Sequence, residues 1–501
     1  MPAKLARPLA GKNQKRRRVG VIDVGSNSIR LVVYDCSGAV PYLMFNEKAL
    51  CSLGRGLAET GRLNPTGVKL AMATLARLVA LCRAMKLQRT VALATAAVRE
   101  ATDGMAFVRT VAQNVGIRLR VLSGDEEAAL SAASVQAGIP DADGVVGDLG
   151  GGSLELVALR QGNQTGRATL PLGPLRLLDA GSKKKITRIV QESFDSVPWL
   201  AEMKGRNLYL VGGSWRAIGK LHLAQSHYPL NVIHGYTVAP VEMLKMTGQL
   251  AALSGAALEK IAAVPKARAD VLPPAAYVLG KFIEATSPKG IVFSGYGLRE
   301  GYVFRHFAKD LKDVDSLIAV CADLGARFGR FDIAEALFDW MTPIFPEETQ
   351  KQARRRRAAC YVSDIAWMEH TPYQAEHAFF RILRMPFIGT DHETRAFLAL
   401  TIHHRYGGRM NDEATQGIQR LLKEKDIWRA RAVGRVLRLA YTLSGGTKDL
   451  IKRTRLYLEN DAPRLWVPND SPVFFGVATE DSLRALTAAL QQPKRPATVK
   501  T

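Results

Sequence analysis

Two stretches of this chain can be laid over one another without a gap: DVGSNSIRLVV, beginning at Asp23, and DLGGGSLELVA, beginning at Asp148. Asp, Gly, Ser, Leu and Val coincide. In the first copy VGVIDVG (19–25) and IRLVVYD (29–35) are β-branched runs joined by a short Gly, Ser and Asn turn, which reads as a glycine-containing hairpin. A second such hairpin 125 positions later (148 − 23) implies two related lobes facing one another, each offering a Gly-rich turn to a shared cleft.

The pattern around the repeat supports an α/β class. Val68 to Met85 places Leu75, Leu78, Val79 and Cys82 at helical spacing, and RTVALAT and IRLRVLS supply further short strands. Strands and helices alternate. Beyond about residue 305 the texture changes to helical patterns rich in Ala, Leu and Arg, with little glycine between 330 and 400, so a third, all-helical domain is expected. The predicted organisation is a basic tail over 1–18, one lobe over 19–137, a second over 138–305 and a helical domain over 306–501.

At 501 residues the chain is too long for one hydrophobic core, which agrees with several domains. Its apolar fraction of 47% and charged fraction of 23% are those of ordinary soluble proteins, and no uninterrupted apolar run approaches bilayer-spanning length, so membrane insertion is not expected. The first 18 residues carry seven Lys or Arg and no acid, but lack the apolar centre of a secretory signal; they read as a disordered basic tail. Five scattered cysteines (Cys36, Cys51, Cys82, Cys321, Cys360) without a CxxC pair argue against a disulfide framework or a zinc site and fit a reducing cytoplasm. The net charge of +23 would gather polyanions. Basic residues concentrate at Lys15 to Arg18, Lys183 to Lys185, Arg354 to Arg357 and in the closing PKRPATVK segment. Runs of this kind are commonly solvated faces or tails.

A Gly and Ser turn between strands aims several backbone N–H groups at one point and so makes an anion nest, to which an adjacent carboxylate can add a metal. In the first hairpin Gly25, Ser26, Asn27 and Ser28 would supply donors beside Asp23. In the second, Gly150, Gly151, Gly152 and Ser153 form the cradle, with Asp148 before it and Glu155 after it. This is a toolkit for phosphoryl transfer, which asks for positioning and charge neutralisation. Mg²⁺ takes one or two carboxylates plus phosphate oxygens, a role open to Asp148 and Glu155. Arg99, in ATAAVRE after a strand, is placed to clamp phosphate in a bidentate way. Hydrolysis also needs a base near the attacking water, and SGDEEAALS (123–131) offers Asp125, Glu126 and Glu127 at a strand-to-helix junction; spacing alone does not choose among them.

The motifs IDVGSNSIRLVV, ATAAVREA, SGDEEA, GDLGGGSLELV, LVGGSWRAIG and GLREGYV occur in an order that resembles the exopolyphosphatase and guanosine pentaphosphate phosphatase (Ppx/GppA) family, over about residues 19 to 305. The resemblance implies a two-lobed actin-like (ribonuclease H-like) ATPase fold. It also implies Glu127 as the base that activates water, Asp148 and Glu155 as the metal-linked acids, with Asp23 beside them, and Arg99 as the phosphate-binding arginine. Gly212 and Gly213 are expected to have a structural or accessory role, since the family is not expected to use ATP as a phosphoryl donor.

The C-terminal part departs from the HD-phosphohydrolase-like helical domain of some members. In CYVSDIAWMEH, Ser363 stands where the metal-binding histidine would precede Asp364, which leaves His370, His377, His392, His403 and His404 without the central pair. A degenerate HD-like domain with no second metal centre is expected, and Arg354, Arg355, Arg356 and Arg357 are candidates to extend a polyanion channel. The leading expectation is an Mg²⁺-dependent exopolyphosphatase acting on inorganic polyphosphate. The alternatives are hydrolysis of guanosine pentaphosphate to the tetraphosphate, or a regulator that binds polyphosphate, alarmone or nucleic acid with little turnover. The resemblance also implies a homodimer. Neither a membrane nor nucleic acid is an expected partner.

Overall fold

The computed structural model describes residues 17–38, 40–261, 264–307, 315–469, 472–474 and 476–491. Residues 1–16 of the expected tail and the closing PKRPATVK segment lie outside the described residues. Those described fall into two compact units, 17–307 and 315–491.

The first unit holds two sheets. One contains β1 (Arg18–Val24), β2 (Ser28–Asp35), β3 (Tyr42–Leu50), β4 (Arg89–Ala94) and β5 (Leu119–Val121), in the order β3-β2-β1-β4-β5. The other contains β6 (Gly144–Leu149), β7 (Leu154–Arg160), β8 (Asn163–Leu170), β9 (Asn207–Gly212), β10 (Tyr236–Val238) and β11 (Gly290–Phe293), in the order β10-β11-β9-β6-β7-β8. Strands β8-β7-β6-β9-β11 thus reproduce the first sheet, antiparallel across the first three strands and parallel beyond, with β10 added at the far edge. The duplication suggested by eleven residues extends to five strands. Arg17 and Arg18, assigned to the tail, are part of this fold: the Arg17 carbonyl accepts from Cys36 N–H and Arg18 opens β1.

The helix Pro65–Ala84 starts at an Asn64 cap and presses Ala71, Leu75, Leu78, Val79 and Cys82 into the first sheet's core. It has the length and mean hydropathy of a bilayer-spanning helix, although Lys69 and Arg77 interrupt it; here its apolar stripe is buried in the lobe. The helix Gly124–Gly138 serves both sheets. Ala128, Ala132 and Val135 pack with Val146, Val157 and Val211 of the second, while Leu130 packs with Val19, Val21 and Leu93 of the first. The helix Leu298–Phe307 crosses back to the first sheet through Tyr302 and Val303.

The domain boundary expected after residue 305 changes accordingly. The residues from 298 to 305, assigned to the second lobe, pack on the first, and the cut between 305 and 306 falls inside a helix.

The second unit is built around the helices His392–Arg405 and Glu424–Ser444, the former buried along its length except at Glu393. It is not all-helical. A hairpin of β12 (Arg455–Glu459) and β13 (Ala462–Trp466) turns at Asn460 and Asp461, whose φ of 51° and 61° are those of a two-residue primed turn.

Candidate active site

The two Gly-rich turns share one backbone geometry. Gly25 N–H donates to the Ser28 carbonyl at 3.0 Å, and Gly150 N–H donates to that of Ser153 at 2.9 Å. The turns also touch: a methyl group added at Gly151 would lie 3.1 Å from Ser26 Cβ, and one at Gly152 would lie 3.2 Å from Ser26 Oγ. Side chains at these positions would push the two lobes apart, which is the physical reason for glycine there. All eight cradle residues, Gly25 to Ser28 and Gly150 to Ser153, line a single cleft.

Four carboxylates line the same cleft: Asp23, Glu127, Asp148 and Glu155. Register places Asp23 across from Arg30 and Asp148 across from Glu155. The duplicated hairpins therefore match in backbone and differ in charge, since the first opposes its acid with a cation and the second with another acid. Burial, reinforced by Glu127 and Asp148, holds the Glu155 carboxyl well above the usual range, although Ser153 Oγ donates to it. Burial likewise raises Asp148 against the pull of the Ser131 hydroxyl, Arg216 and Arg299. It raises Asp23 against Arg299, whose Nη1 is 3.9 Å away.

The acids of SGDEEA separate by helical geometry. Asp125 is exposed; Glu126 closes a capping box with Ser123 and pairs with Arg120; Glu127, 6% exposed, lines the cleft. Burial pushes Glu127 up to about 8, with Arg99 opposing. Arg99 does not line the cleft as a free clamp. Its Nη1 donates to Glu127 and, at 2.8 Å, to the Leu122 carbonyl, so it orients the glutamate.

The cleft's own cations are Arg30, Lys48, Arg216, Arg268 and Arg299, none of which was singled out from the sequence. Three of them sat inside motifs already noted: Arg30 in IDVGSNSIRLVV, Arg216 in LVGGSWRAIG and Arg299 in GLREGYV. Lys48 and Arg268 had no local signal. Burial and the guanidiniums of Arg268, Arg30, Arg299 and Arg216 push Lys48 down to about 8, and burial brings Arg216 to about 10. Arg299 Nε is buried without a hydrogen-bond partner, and Glu300, behind it, is held by Tyr34 Oη at 2.6 Å and Gly297 N–H at 2.9 Å. Mutually repelling cations with a spare donor suit a polyanionic guest. Gly212 has a φ of 106°, and Gly213 leaves the space that the Arg268 guanidinium fills, so these two glycines shape the cationic wall.

In the helical unit the run Arg354–Arg357 is not available as a channel, which corrects that expectation. Arg354 pairs with Asp315, Arg355 with Glu393, Arg356 with Glu348 and Arg357 with Glu335. Arg355 and Arg356 are 2% and 0% exposed. Four consecutive helical positions point around the whole helix, so a basic run there cannot form one face. Asp364 is bound by Arg330, His403 by Asp412 and His377 by Glu369, while burial pushes His404 down to about 3. Lys183–Lys185 open an exposed helix. Among the described residues, no group of three or more His, Cys, Asp or Glu is placed to hold a metal.

Facing backbone nests, buried carboxylates and a cationic wall on a two-lobed actin-like fold define a hydrolase of phosphoanhydride bonds. Comparison with known proteins is in accord. Residues 32–310 match the Ppx/GppA phosphatase family, and residues 324–492 match the exopolyphosphatase C-terminal model. The chain belongs to the Ppx/GppA phosphatase family. It is 26% identical to exopolyphosphatase 2 of Mycobacterium tuberculosis, over 52% of this chain and 88% of that protein. It is 23% identical to retrograde regulation protein 2 of Saccharomyces cerevisiae, over 84% of this chain and 80% of that one. A Cytophaga hutchinsonii exopolyphosphatase structure aligns with a TM-score of 0.54 at 22% identity, covering 58% of this chain and 98% of its own.

Proposed function

We propose that this chain is an Mg²⁺-dependent exopolyphosphatase that removes terminal orthophosphate from inorganic polyphosphate. The observation that carries the reading is the cleft itself: two touching backbone nests, with Glu127 and five cations lining the same cleft. The N–H groups of Ser26 to Ser28 and Gly150 to Ser153 would hold the terminal and penultimate phosphoryl groups, with Arg216 and Arg299 on their outer oxygens. Glu127 Oε takes a proton from water as the water oxygen bonds to the terminal phosphorus. The bridging P–O bond breaks, and its electron pair stays with the shortened chain. Arg99 keeps the carboxylate aimed.

Asp148 and Glu155 fit Mg²⁺, because they are two buried acids directly across from one another, whereas the position across from Asp23 is taken by Arg30. Mg²⁺ bound there would neutralise charge that develops on the phosphoryl oxygens. Five free, buried cysteines support a reducing cytoplasm as the working compartment.

The deciding experiment compares orthophosphate release from long-chain polyphosphate and guanosine pentaphosphate, with Mg²⁺ and at matched concentrations of chain ends. Faster release from polyphosphate is expected. Preference for the nucleotide would replace the substrate and keep the chemistry. A regulatory reading is favoured by the name of the yeast relative, and tight binding of either compound without release would establish it.

A further inference from the structure

The helical unit contains an open cavity of about 380 Å³, within the size range of small-molecule sites, lined among others by Arg330, Arg405, Arg438, Thr371, Gln374 and Tyr406. Among the described residues, no carboxylate lines it. Asp364 is the acid bonded to this arginine cluster. It is 3% exposed and accepts from Arg330 through the backbone N–H (3.0 Å), Nε (3.0 Å) and Nη2 (2.7 Å). This is the aspartate of the CYVSDIAWMEH segment.

One carboxylate cannot neutralise three guanidiniums. Arg405 reaches the same Asp364 oxygen only at 3.8 Å, and its Nε is buried with no hydrogen-bond partner. It is held in place by the Tyr441 and Tyr406 rings, 3.9 and 4.4 Å from the guanidinium carbon. Arg438 has neither a hydrogen bond nor an ion pair to its guanidinium among the described residues; its Nη1 occupies the space that a side chain at Gly407 would fill. Arg435, nearby, is pushed down by burial and by Arg438 and Arg431, the mark of cations crowded together without an anion.

We propose that this cavity is a second anion site, separate from the cleft, that binds a phosphoryl group through Arg405, Arg438 and Arg330. It goes beyond the catalytic reading, since every residue in it lies outside the unit that carries the cleft. Two sources share this chemistry: an inorganic oligophosphate and the phosphate tail of a nucleotide.

The test uses the full chain carrying Glu127→Gln, so that bound oligophosphate is not turned over, titrated calorimetrically with tripolyphosphate. Adding Arg438→Ala should weaken one class of sites at least about tenfold, since a charge-assisted hydrogen bond is lost. Arg438→Lys should recover part of it, and Arg216→Ala should leave that class intact. Arg438 is half-buried and unpaired, so the variant should melt with its parent. Displacement of one equivalent by GTP would assign the site to nucleotides, and its absence to the inorganic chain. An isotherm unchanged by Arg438→Ala overturns the proposal, whatever happens in the cleft; failure of the hydrolase reading would appear instead as absent orthophosphate release with Glu127 intact.

Discussion

Buried Glu127 and half-buried Arg99 meet as a pair in which the arginine constrains both the direction and the proton affinity of the glutamate. Glu127→Gln keeps the shape and removes the proposed base, so kcat should fall by about two to four orders of magnitude while polyphosphate binding persists; single-turnover release and equilibrium binding check the two halves. The pH dependence follows from the same contact. A base must be unprotonated to act, and Glu127 is raised to about 8. In kcat/KM the acidic limb should therefore lie far above the ordinary carboxylate range, with activity lost as pH falls through it. Arg99→Ala removes the charge that opposes the shift and should move the limb to still higher pH, whereas a merely structural arginine would lower activity without moving it. The choice among Asp125, Glu126 and Glu127 was closed in sequence only by resemblance; in the structure it is a matter of 100° per residue on one helix. Arg99 itself was legible as a residue of the site, but its partner was not, because the contact joins positions 28 apart.

At the scale of elements, the hairpin repeat was the strongest sequence signal because backbone turns are written locally, in glycine and serine. The match ran down to equivalent hydrogen bonds at Gly25 and Gly150. What local pattern could not carry was the return of the helix Leu298–Phe307 to the first sheet, which depends on a helix-to-helix contact rather than on periodicity. At Gly301 an added methyl would collide with the Leu130 carbonyl oxygen. Gly301→Ala should therefore cost about 1–3 kcal/mol or more, despite the better helix propensity of alanine, and lower the Tm in thermal unfolding. The β12–β13 hairpin was missed for a simpler reason: it is two five-residue strands in a helical stretch, and its signal, Asn460-Asp461 between apolar runs, was outweighed by the texture around it.

At the scale of the whole molecule, the excess positive charge pointed to a polyanion channel along Arg354–Arg357, and the structure does not leave those residues free to form one. The Arg354–Arg357 run goes into internal ion pairs, and the cations that line the cleft are dispersed from Arg30 to Arg299. Arg356→Ala should accordingly act as a stability mutation. It would leave Glu348, shared with Arg429, short of a partner in the interior and cost about 3–5 kcal/mol, with the ratio of rates on long and short chains unchanged. Chemical unfolding measured beside chain-length kinetics separates this from a channel role. The helix Gly124–Gly138, finally, is common property of both sheets, and Glu127 stands near its start. If the lobes part to admit a chain, that helix can travel with only one of them, and the glutamate then loses alignment with the other nest. On the proposed role of Glu127, water activation would then be interlocked with closure, and solvent entering a parted cleft would meet no aligned base.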